Sequence, residues 1–249
     1  MIDLHSHVLP GLDDGAADLD EALSICRAAA ADGTEVLAGT PHVRFDYRTT
    51  TDQMETALAA LQDAAAGIVE IRGGAELDLA ELDRPADELR RFGLGGNPGY
   101  LLVETPYYGW PLELGDRLFR LRTAGFVPVL AHPERNPEVQ ARPELLEPLV
   151  ATGALVQLTA ASVDGRIGGR ARSCSEALLE RRLAHLIASD AHMPGIRVVG
   201  LSSAAAAVGD SELARWLTDS VPRAIVGRTD VPPRPVRARR PGRRRIFGR

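Results

Sequence analysis

Five of the six histidines lie in short motifs with acidic or small residues, at points where predicted strands end. The motifs are Asp3-Leu4-His5-Ser6-His7, Thr40-Pro41-His42, Ala131-His132-Pro133-Glu134-Arg135 and Ser189-Asp190-Ala191-His192. Imidazole and carboxylate groups together form the ligand sets of zinc, iron and manganese sites. The pattern therefore predicts a site for several metal ions, and it indicates a metalloenzyme rather than a generic globular protein.

Carboxylate residues, like the histidines, also lie where predicted strands end. Glu76, Glu104 and Asp190 each follow a strand-like apolar segment. A buried acid without a partner costs free energy, and a metal cluster supplies partners to all of them together. Glu76 could also be a charge at a helix start. Asp14, in Asp13-Asp14-Gly15, is a candidate ligand, although a simple turn explains that tripeptide more readily.

The pair His5 and His7 has the alternate spacing that places two side chains on one side of a strand, where they can bind one metal ion. A single such pair is weak evidence, but here it leaves a strand and precedes Asp13-Asp14-Gly15. The sixth histidine, His185, starts a predicted strand instead of ending one. We therefore expect it to have a structural role.

Two arginines are candidates for binding phosphate. Arg135 follows His132 by three residues, and Arg197 follows His192 by five. The planar guanidinium group suits phosphate in a bidentate geometry, although a solvated surface arginine explains either residue about as well. All 29 basic residues are arginine, so mechanisms that need lysine are excluded. Neither Cys26 nor Cys174 begins a loop suited to a cysteine phosphatase.

Short apolar strands that alternate with helices must position these groups. The predicted strands are 2–5, 35–39, 68–76, 100–103, 127–131, 154–158 and 184–188, and the predicted helices are 18–32, 51–66, 80–91, 112–123, 143–151, 172–182, 201–208 and 211–220. Such strands are typical of a parallel sheet that is buried on both faces, and seven units favour an α/β barrel over an open sheet. In a parallel barrel the carboxyl ends of all the strands lie on one face, and active sites form at that face.

Composition and charge divide the chain at residue 230. The 249 residues are 45% hydrophobic, which is enough for a full core, and the two cysteines suggest a reducing compartment. With no signal peptide and no apolar run of membrane length, we expect a soluble cytoplasmic protein. Residues 231–249 hold eight arginines and no acid, so the net charge of −5 leaves −13 for residues 1–230.

The predicted domain is therefore 1–230, followed by an Arg- and Pro-rich tail, 231–249, that we expect to be disordered. Its charge suits an anionic membrane, nucleic acid or an acidic partner. A solubilising tail without a partner explains the same composition equally well.

With these motifs assembled, the sequence resembles a known family. The run from Met1 to Gly15 reads Met-Ile-Asp-Leu-His-Ser-His-Val-Leu-Pro-Gly-Leu-Asp-Asp-Gly. It is similar to the manganese-dependent bacterial tyrosine-protein phosphatases of capsule and exopolysaccharide loci, in the PHP (polymerase and histidinol phosphatase) superfamily. The remaining motifs follow in the family's order, and the similarity covers about residues 1–227. In the loop after His42, where relatives often carry basic residues, this chain reads Val43-Arg44-Phe45-Asp46-Tyr47.

The resemblance implies a distorted (β/α)7 barrel, similar to a TIM barrel, with three metal ions. Manganese is the implied cofactor, with iron or zinc as alternatives. By motif, the first ion would be held by His5, His7, Glu76 and Asp190, the second by Glu76, Glu104 and His132, and the third by Asp14, His42 and His192. Arg135 and Arg197 match the phosphate-contacting arginines of the family.

The implied reaction is hydrolysis of protein phosphotyrosine by a metal-bridging hydroxide, with a tyrosine kinase of polysaccharide synthesis as the expected substrate and no nucleic-acid partner. Three alternatives stay open. The chain could be a small-molecule phosphatase of the histidinol-phosphate type or a PHP nuclease. It could also be a metal-stabilised regulatory domain of a polysaccharide export complex, with the tail as a docking element.

Overall fold

The computed structural model describes residues 1–192 and 200–236. The strands are β1 (Ile2–Ser6), β2 (Val36–Gly39), β3 (His42–Val43), β4 (Glu70–Gly73), β5 (Glu76–Leu77), β6 (Tyr100–Glu104), β7 (Val127–Ala131), β8 (Leu155–Thr159) and β9 (Leu186–Ala188). In β6, β7 and β8 every residue after the first is buried, so these strands are enclosed on both faces.

Helices follow most of the strands. The α-helices are α1 (Leu19–Ala31), α2 (Thr51–Ala64), α3 (Ala86–Arg91), α4 (Leu114–Thr123), α5 (Pro137–Ala141), α6 (Glu147–Ala151), α7 (Ala160–Val163), α8 (Gly169–Glu180), α9 (Leu201–Val208), α10 (Ser211–Arg215) and α11 (Val221–Gly227). Short 3₁₀ turns span Leu79–Asp83, Leu94–Gly96, Pro133–Arg135 and Pro143–Leu146, and a π-helical turn spans Trp216–Ser220.

Side-chain caps explain why two of the helices begin where they do. The carboxylate of Asp18 accepts a hydrogen bond from the backbone N–H of Glu21 at the start of α1. At the start of α2, Thr50 and Gln53 form a capping box in which each side chain bonds the other's backbone N–H. These caps orient the helices that return the chain to the next strand.

The strands form a distorted seven-position barrel. One parallel sheet has the order β1-β2-β4, and a second has the order β3-β5-β6-β7-β8-β9. Strands β2 and β3 follow each other along one barrel position, as do β4 and β5. A parallel bridge between Ser6 and Ala191 joins the end of β1 to the chain just after β9. The predicted α/β barrel is confirmed, with breaks after β2 and β4.

Local chemistry accounts for the two breaks. Pro41 has no backbone N–H to donate to a ladder, although its carbonyl still accepts from Glu76 N at 3.0 Å. At Gly74 a Cβ would meet Thr40 Cγ2 at 3.2 Å and the backbone of Leu94 at 3.3 Å. The close packing of Thr40 and Leu94 therefore favours a glycine at position 74, directly before Glu76, which pairs with His42 in the second sheet.

The predicted elements differ from the observed ones mainly at prolines and at short helices. Residues 68–76, predicted as one strand, form β4 and β5. The predicted helix 80–91 divides at Pro85, because the preceding Arg84 is held in an extended conformation (ψ 157°). The predicted helix 143–151 begins as a 3₁₀ turn, and the helix 211–220 ends as a π-helical turn. Among the described strands and α-helices, the short elements β3, α5, α7 and α11 were not predicted, and neither were the 3₁₀ turns at Leu94–Gly96 and Pro133–Arg135.

Residues 231–236, the first part of the predicted tail, lie against the domain. Trp216 Nε1 donates to the carbonyl of Pro232 at 3.0 Å. The guanidinium of Arg234 donates to Ala184 O and Leu179 O, at 2.7 and 2.9 Å, and lies over the Trp216 ring. The rest of the predicted tail, 237–249, lies outside the described residues, and the domain boundary at 230 stays a prediction. Among the described helices, none is long and apolar enough to cross a membrane.

His185 has the structural position expected for it, at the start of β9. Its Nδ1 accepts a hydrogen bond from Val156 N at 3.2 Å. Burial, together with the nearby charge of Arg234, lowers the pKa of His185 to about 4. An imidazole in the unfolded chain protonates near pH 6.5. The neutral His185 therefore stabilises the fold fully above that pH, and this stabilisation is lost as the pH falls from about 6.5 to about 4.

We expect His185→Asn to reduce this pH dependence, because asparagine keeps a hydrogen-bond acceptor but does not titrate. Between pH 7 and pH 5, the free energy of unfolding of the wild-type protein should fall by about 2 kcal/mol more than that of the variant. Urea unfolding at the two pH values measures the difference. Equal losses in the two proteins would contradict the role given to His185.

Candidate metal centre

The structure brings all nine predicted ligand residues to the carboxyl ends of the strands. Their side-chain atoms form four overlapping groups in which every ligand atom lies within 4.8 Å of the others. The groups are His7, Asp14, His42 and His192; His5, His7 and Asp190; His5, Glu76 and His132; and His42, Glu76 and Glu104. Eight of the nine residues are buried, and Asp14 is 40% exposed.

His5 and His7 direct the same nitrogen inward. The two Nε2 atoms lie 3.2 Å apart. His5 Nε2 lies 3.3 Å from Glu76 Oε2, and His7 Nε2 lies 3.4 Å from Asp190 Oδ1. Donor atoms about 3 Å apart are what a single ion with metal–ligand bonds of about 2.1 Å requires. These four residues can therefore hold one ion.

Two further residues orient these imidazoles, and neither was predicted to have this role. His5 Nδ1 lies 2.9 Å from Gln157 Oε1, and His7 Nδ1 lies 2.6 Å from Asp13 Oδ2. Because both partners offer oxygen acceptors, each Nδ1 donates its proton to its partner and each Nε2 faces the cluster, where it can bind a metal ion once it is deprotonated. Gln157, a buried polar residue within the apolar β8, was a signal in the sequence.

Asp13 also holds neighbouring backbone in place. Its Oδ2 accepts from His42 N at 2.9 Å, and its Oδ1 accepts from Gly15 N at 3.0 Å. A side chain at position 15 would collide with the backbone of His7, so this turn requires glycine. Asp13-Asp14-Gly15 is therefore both a turn and part of the site, because the turn also positions the Asp14 side chain.

Glu76 lies at the centre of the cluster. Its Oε1 is 2.8 Å from His132 Nε2, and its Oε2 is 3.1 Å from His42 Nδ1. Within the part of the chain that the structure describes, the buried Oε2 of Glu76 and Nδ1 of His42 both lack a hydrogen-bond partner. A divalent cation accepts lone pairs from both atoms, so the donor set fits a metal ion.

The third group faces the opening of the barrel. Asp14 Oδ1 lies 3.4 Å from His192 Nε2 and 3.6 Å from His42 Nε2. The hydrogen bond from His192, and the charges of the nearby histidines, hold the pKa of Asp14 below its usual range. Its carboxylate is therefore ionised and can serve as a ligand.

The carboxylates in the interior respond differently to their surroundings. Burial opposes ionisation of Glu76, but the charges of His5 and His132 outweigh it and hold the pKa of Glu76 well below its usual range. Burial and the adjacent Glu76 charge raise the pKa of Glu104 to about 7. A cation bound between Glu76 and Glu104 would neutralise the repulsion between these two buried carboxylates.

Backbone strain coincides with two of the candidate ligands. His132 follows β7 with φ 37°, and Asp190 follows β9 with φ 52°. Non-glycine residues in this left-handed region are uncommon and cost about 1 kcal/mol or more, and they concentrate at functional sites. The strained turns place both side chains in the cluster as the strands end.

Arg135 lies at the edge of this cluster. Its Nη1 donates to Asp190 Oδ2 at 2.6 Å, and its guanidinium lies over the Tyr107 ring at 5.4 Å. Arg197, the second predicted phosphate contact, lies outside the described residues. Nitrogen and oxygen donors without a thiolate suit manganese, iron or zinc in a catalytic site. The assignment of each ligand to a particular ion stays a prediction.

Comparisons with known proteins place most of this chain within one family. Residues 1–215 match the family model described as "Capsular polysaccharide synthesis, CpsB/CapC". The chain is 32% identical to the tyrosine-protein phosphatase YwqE of Bacillus subtilis (strain 168), over 100% of this chain and 99% of that protein. It is 25% identical to the tyrosine-protein phosphatase CpsB of Streptococcus agalactiae serotype III, over 82% of this chain and 88% of that protein.

Solved structures show the same architecture. One similar structure belongs to a study of YwqE from Bacillus subtilis and CpsB from Streptococcus pneumoniae, which are described as metal-dependent tyrosine phosphatases. Its TM-score to this chain is 0.86 at 29% sequence identity. The match covers 96% of this chain and 100% of that chain. The histidinol phosphate phosphatase of Lactococcus lactis has a TM-score of 0.56 at 14% identity, covering 87% of this chain and 94% of that chain. The second match shows a shared fold.

We expect Asp13→Ala to weaken metal binding by about 10- to 100-fold without unfolding the protein, because His7 loses the partner that sets its tautomer. The metal affinity of Asp13→Asn, which keeps an acceptor oxygen, should lie between that of Asp13→Ala and that of the wild-type protein. Competition with a fluorescent chelator measures the affinity. Asp63→Ala, on the exposed face of α2, is the control for loss of one negative charge. Wild-type affinity in Asp13→Ala would show that Asp13 only shapes the turn.

Proposed function

Because this chain belongs to the CpsB/CapC family of capsular polysaccharide synthesis, we propose that it is a metal-dependent protein-tyrosine phosphatase. The observation that carries the proposal is the buried cluster around Glu76, with the guanidinium of Arg135 at its edge. The cluster can hold several cations, and the arginine can hold an anion beside them. A phosphate ester requires both groups in one site.

We assign the ligands to three ions as the motifs predict. His5, His7, Glu76 and Asp190 would hold the first ion, Glu76, Glu104 and His132 the second, and Asp14, His42 and His192 the third. One group in the structure contains the whole third set together with His7, and Glu76 belongs to two groups, one with His5 and His132 and one with His42 and Glu104. A position shared between two groups supports a bridging role for Glu76. When bound, divalent cations lower the pKa of a water to about 7 and neutralise charge on phosphoryl oxygens. We propose manganese, with iron or zinc as alternatives.

Arg135 would orient the phosphoryl group. One of its nitrogens is fixed on Asp190, and the stacking on Tyr107 limits the motion of the guanidinium plane. A guanidinium held in this way loses less side-chain entropy when it binds an oxyanion. We assign Arg197 the same role on the basis of its motif.

Tyrosine phosphate requires little acid catalysis from the protein. The leaving phenol has a pKa of about 10, so the phenolate departs more readily than an alkoxide. Tyr107, Tyr108 and Trp110 follow β6 at the same face, and Tyr108 is 86% exposed. These rings can pack against the phenyl group of the substrate.

We propose that the substrate is a phosphotyrosine protein, specifically a tyrosine kinase of polysaccharide synthesis, and that the enzyme acts in the cytoplasm. The family's link to capsular polysaccharide synthesis supports the first of these proposals. Contact of the Arg-rich tail with an anionic membrane or an acidic partner stays a prediction, as does the expectation that nucleic acid is not a partner.

A substrate panel tests the proposed function. The purified protein with Mn²⁺ should release phosphate from phosphotyrosine peptides, with weaker turnover of histidinol phosphate and no cleavage of single-stranded DNA. Turnover of only the last two substrates would contradict the proposal. If metal raised the melting temperature while phosphate release stayed at background, the chain would be a metal-stabilised regulatory domain.

We expect Arg135→Ala to lower kcat/KM for a phosphotyrosine peptide by about 10²- to 10³-fold, because one donor to the developing charge is lost. Metal content should be unchanged, because Arg135 is not a ligand. Steady-state kinetics and elemental analysis measure the two effects. Arg142→Ala, an exposed arginine paired with Glu138, is the control for charge. A loss of metal from Arg135→Ala would show that the arginine instead holds Asp190 in its position as a ligand.

A further inference from the structure

Arg44 lies on a tight turn directly after the short strand that carries His42. Its backbone N–H donates to Tyr47 O at 2.9 Å, and Tyr47 N–H donates back to Arg44 O at 3.1 Å. Val43 and Arg48 form an antiparallel bridge just outside these bonds. The turn is therefore closed by its own backbone, and the starting point of the Arg44 side chain is well defined.

The guanidinium of Arg44 reaches the metal cluster. Its Nη1 donates to Glu104 Oε1 at 3.0 Å, and its Nε donates to Asp46 Oδ1 at 2.7 Å. Glu104 is 4% exposed, whereas the Arg44 side chain is 19% exposed, so the guanidinium lies between the cluster and the solvent. These two bonds leave the N–H groups of Nη2 for a ligand at the barrel mouth.

Arg44 and Arg135 have matching surroundings. Each donates through Nη1 to a candidate ligand carboxylate, Glu104 for Arg44 and Asp190 for Arg135. Each also lies over a tyrosine ring, at 5.2 Å for Arg44 over Tyr47 and 5.4 Å for Arg135 over Tyr107.

Each tyrosine ring in turn stacks near a candidate metal ligand. The Tyr47 ring lies 5.8 Å from His42, and the Tyr107 ring lies 6.4 Å from His132. The first stack lies at β3. In the second stack Arg135 and His132 follow β7 and Tyr107 follows β6, and neither of these strands is adjacent to β3 in the sheet. The stacks therefore approach the cluster from different sides of the mouth.

We propose that Arg44 is a second phosphate-binding residue, which contacts the phosphoryl group of the substrate from the side across the mouth from Arg135. The inference rests on the proposed phosphatase function and extends it. A phosphate monoester has three terminal oxygens and carries nearly two negative charges at neutral pH. One guanidinium fork satisfies two oxygens at most, so a second arginine can bind the remaining one.

The test compares Arg44→Ala with the wild-type full-length protein, both loaded with Mn²⁺. Calorimetry measures the affinity for inorganic phosphate, elemental analysis measures bound manganese, and kinetics with a phosphotyrosine peptide gives kcat and KM. We expect phosphate affinity and kcat/KM to fall roughly 10- to 100-fold, as for loss of a charge-assisted hydrogen bond, with bound manganese unchanged. Arg44→Lys should recover part of the phosphate affinity, because it keeps the charge without the fork.

Arg48→Ala is the matched control, because Arg48 lies on the same loop and contacts the Phe45 carbonyl and ring instead of the cluster. It should keep wild-type phosphate affinity. Loss of manganese from Arg44→Ala would overturn the proposal, since Arg44 would then only position Glu104. Unchanged phosphate affinity, or an equal loss in Arg48→Ala, would also overturn it. If wild-type protein left phosphotyrosine peptides intact while Arg44→Ala still weakened phosphate binding, the tyrosine phosphatase function would fail and the Arg44 contact would stand.

Discussion

The carboxylate of Glu76 is buried among the imidazoles of His5, His42 and His132, and the mouth of the barrel is built around it. Taking several charged groups out of water costs several kcal/mol for each ion unless all of them are paired. The structure pairs them only in part, because Glu76 Oε2 and His42 Nδ1 lack hydrogen bonds. Divalent cations bound by these groups would complete the pairing, and they would also supply the charge that phosphoester hydrolysis requires.

The barrel is modified to bring these groups together. A regular ladder would continue β2 and β4 without interruption, but Pro41 and Gly74 break both strands and set His42 beside Glu76 in the second sheet. At the ends of β7 and β9, left-handed backbone at His132 and Asp190 directs two further side chains inward. Strain and broken pairing are therefore concentrated where the ligand groups meet, as expected for a functional site.

Much of the fold and of the site could be predicted from the sequence. Apolar strands such as β7 can be recognised from their composition. In a parallel barrel, the residues that follow such strands lie on one face. His5, Glu104 and His132 could therefore be grouped although they are far apart in the chain. The barrel and the convergence of the side chains that end strands follow from that geometric rule, whereas Asp14 lies in a turn and was assigned as a ligand through the family resemblance.

Other features depend on contacts that no local pattern encodes. Gln157 orients His5 across 152 positions of sequence, and Arg44 reaches Glu104 across 60. Asp13 could be recognised as a turn residue, but its bond to His7 depends on how the turn folds back. The proline break at Pro85 could be anticipated from the sequence, and so could α5, which begins with the Asn136 cap followed by Pro137. The four-residue helix α7 has no side-chain cap, so no such signal marks it.

The most direct test of the account is the position of metal ions around Glu76. Anomalous diffraction from crystals soaked in manganese would locate them independently of any assay of activity. We expect three anomalous peaks within the cluster, with the Glu76 carboxylate shared between two of them. A single ion that does not contact Glu76, or a cluster whose side chains spread apart and bind no manganese, would contradict it.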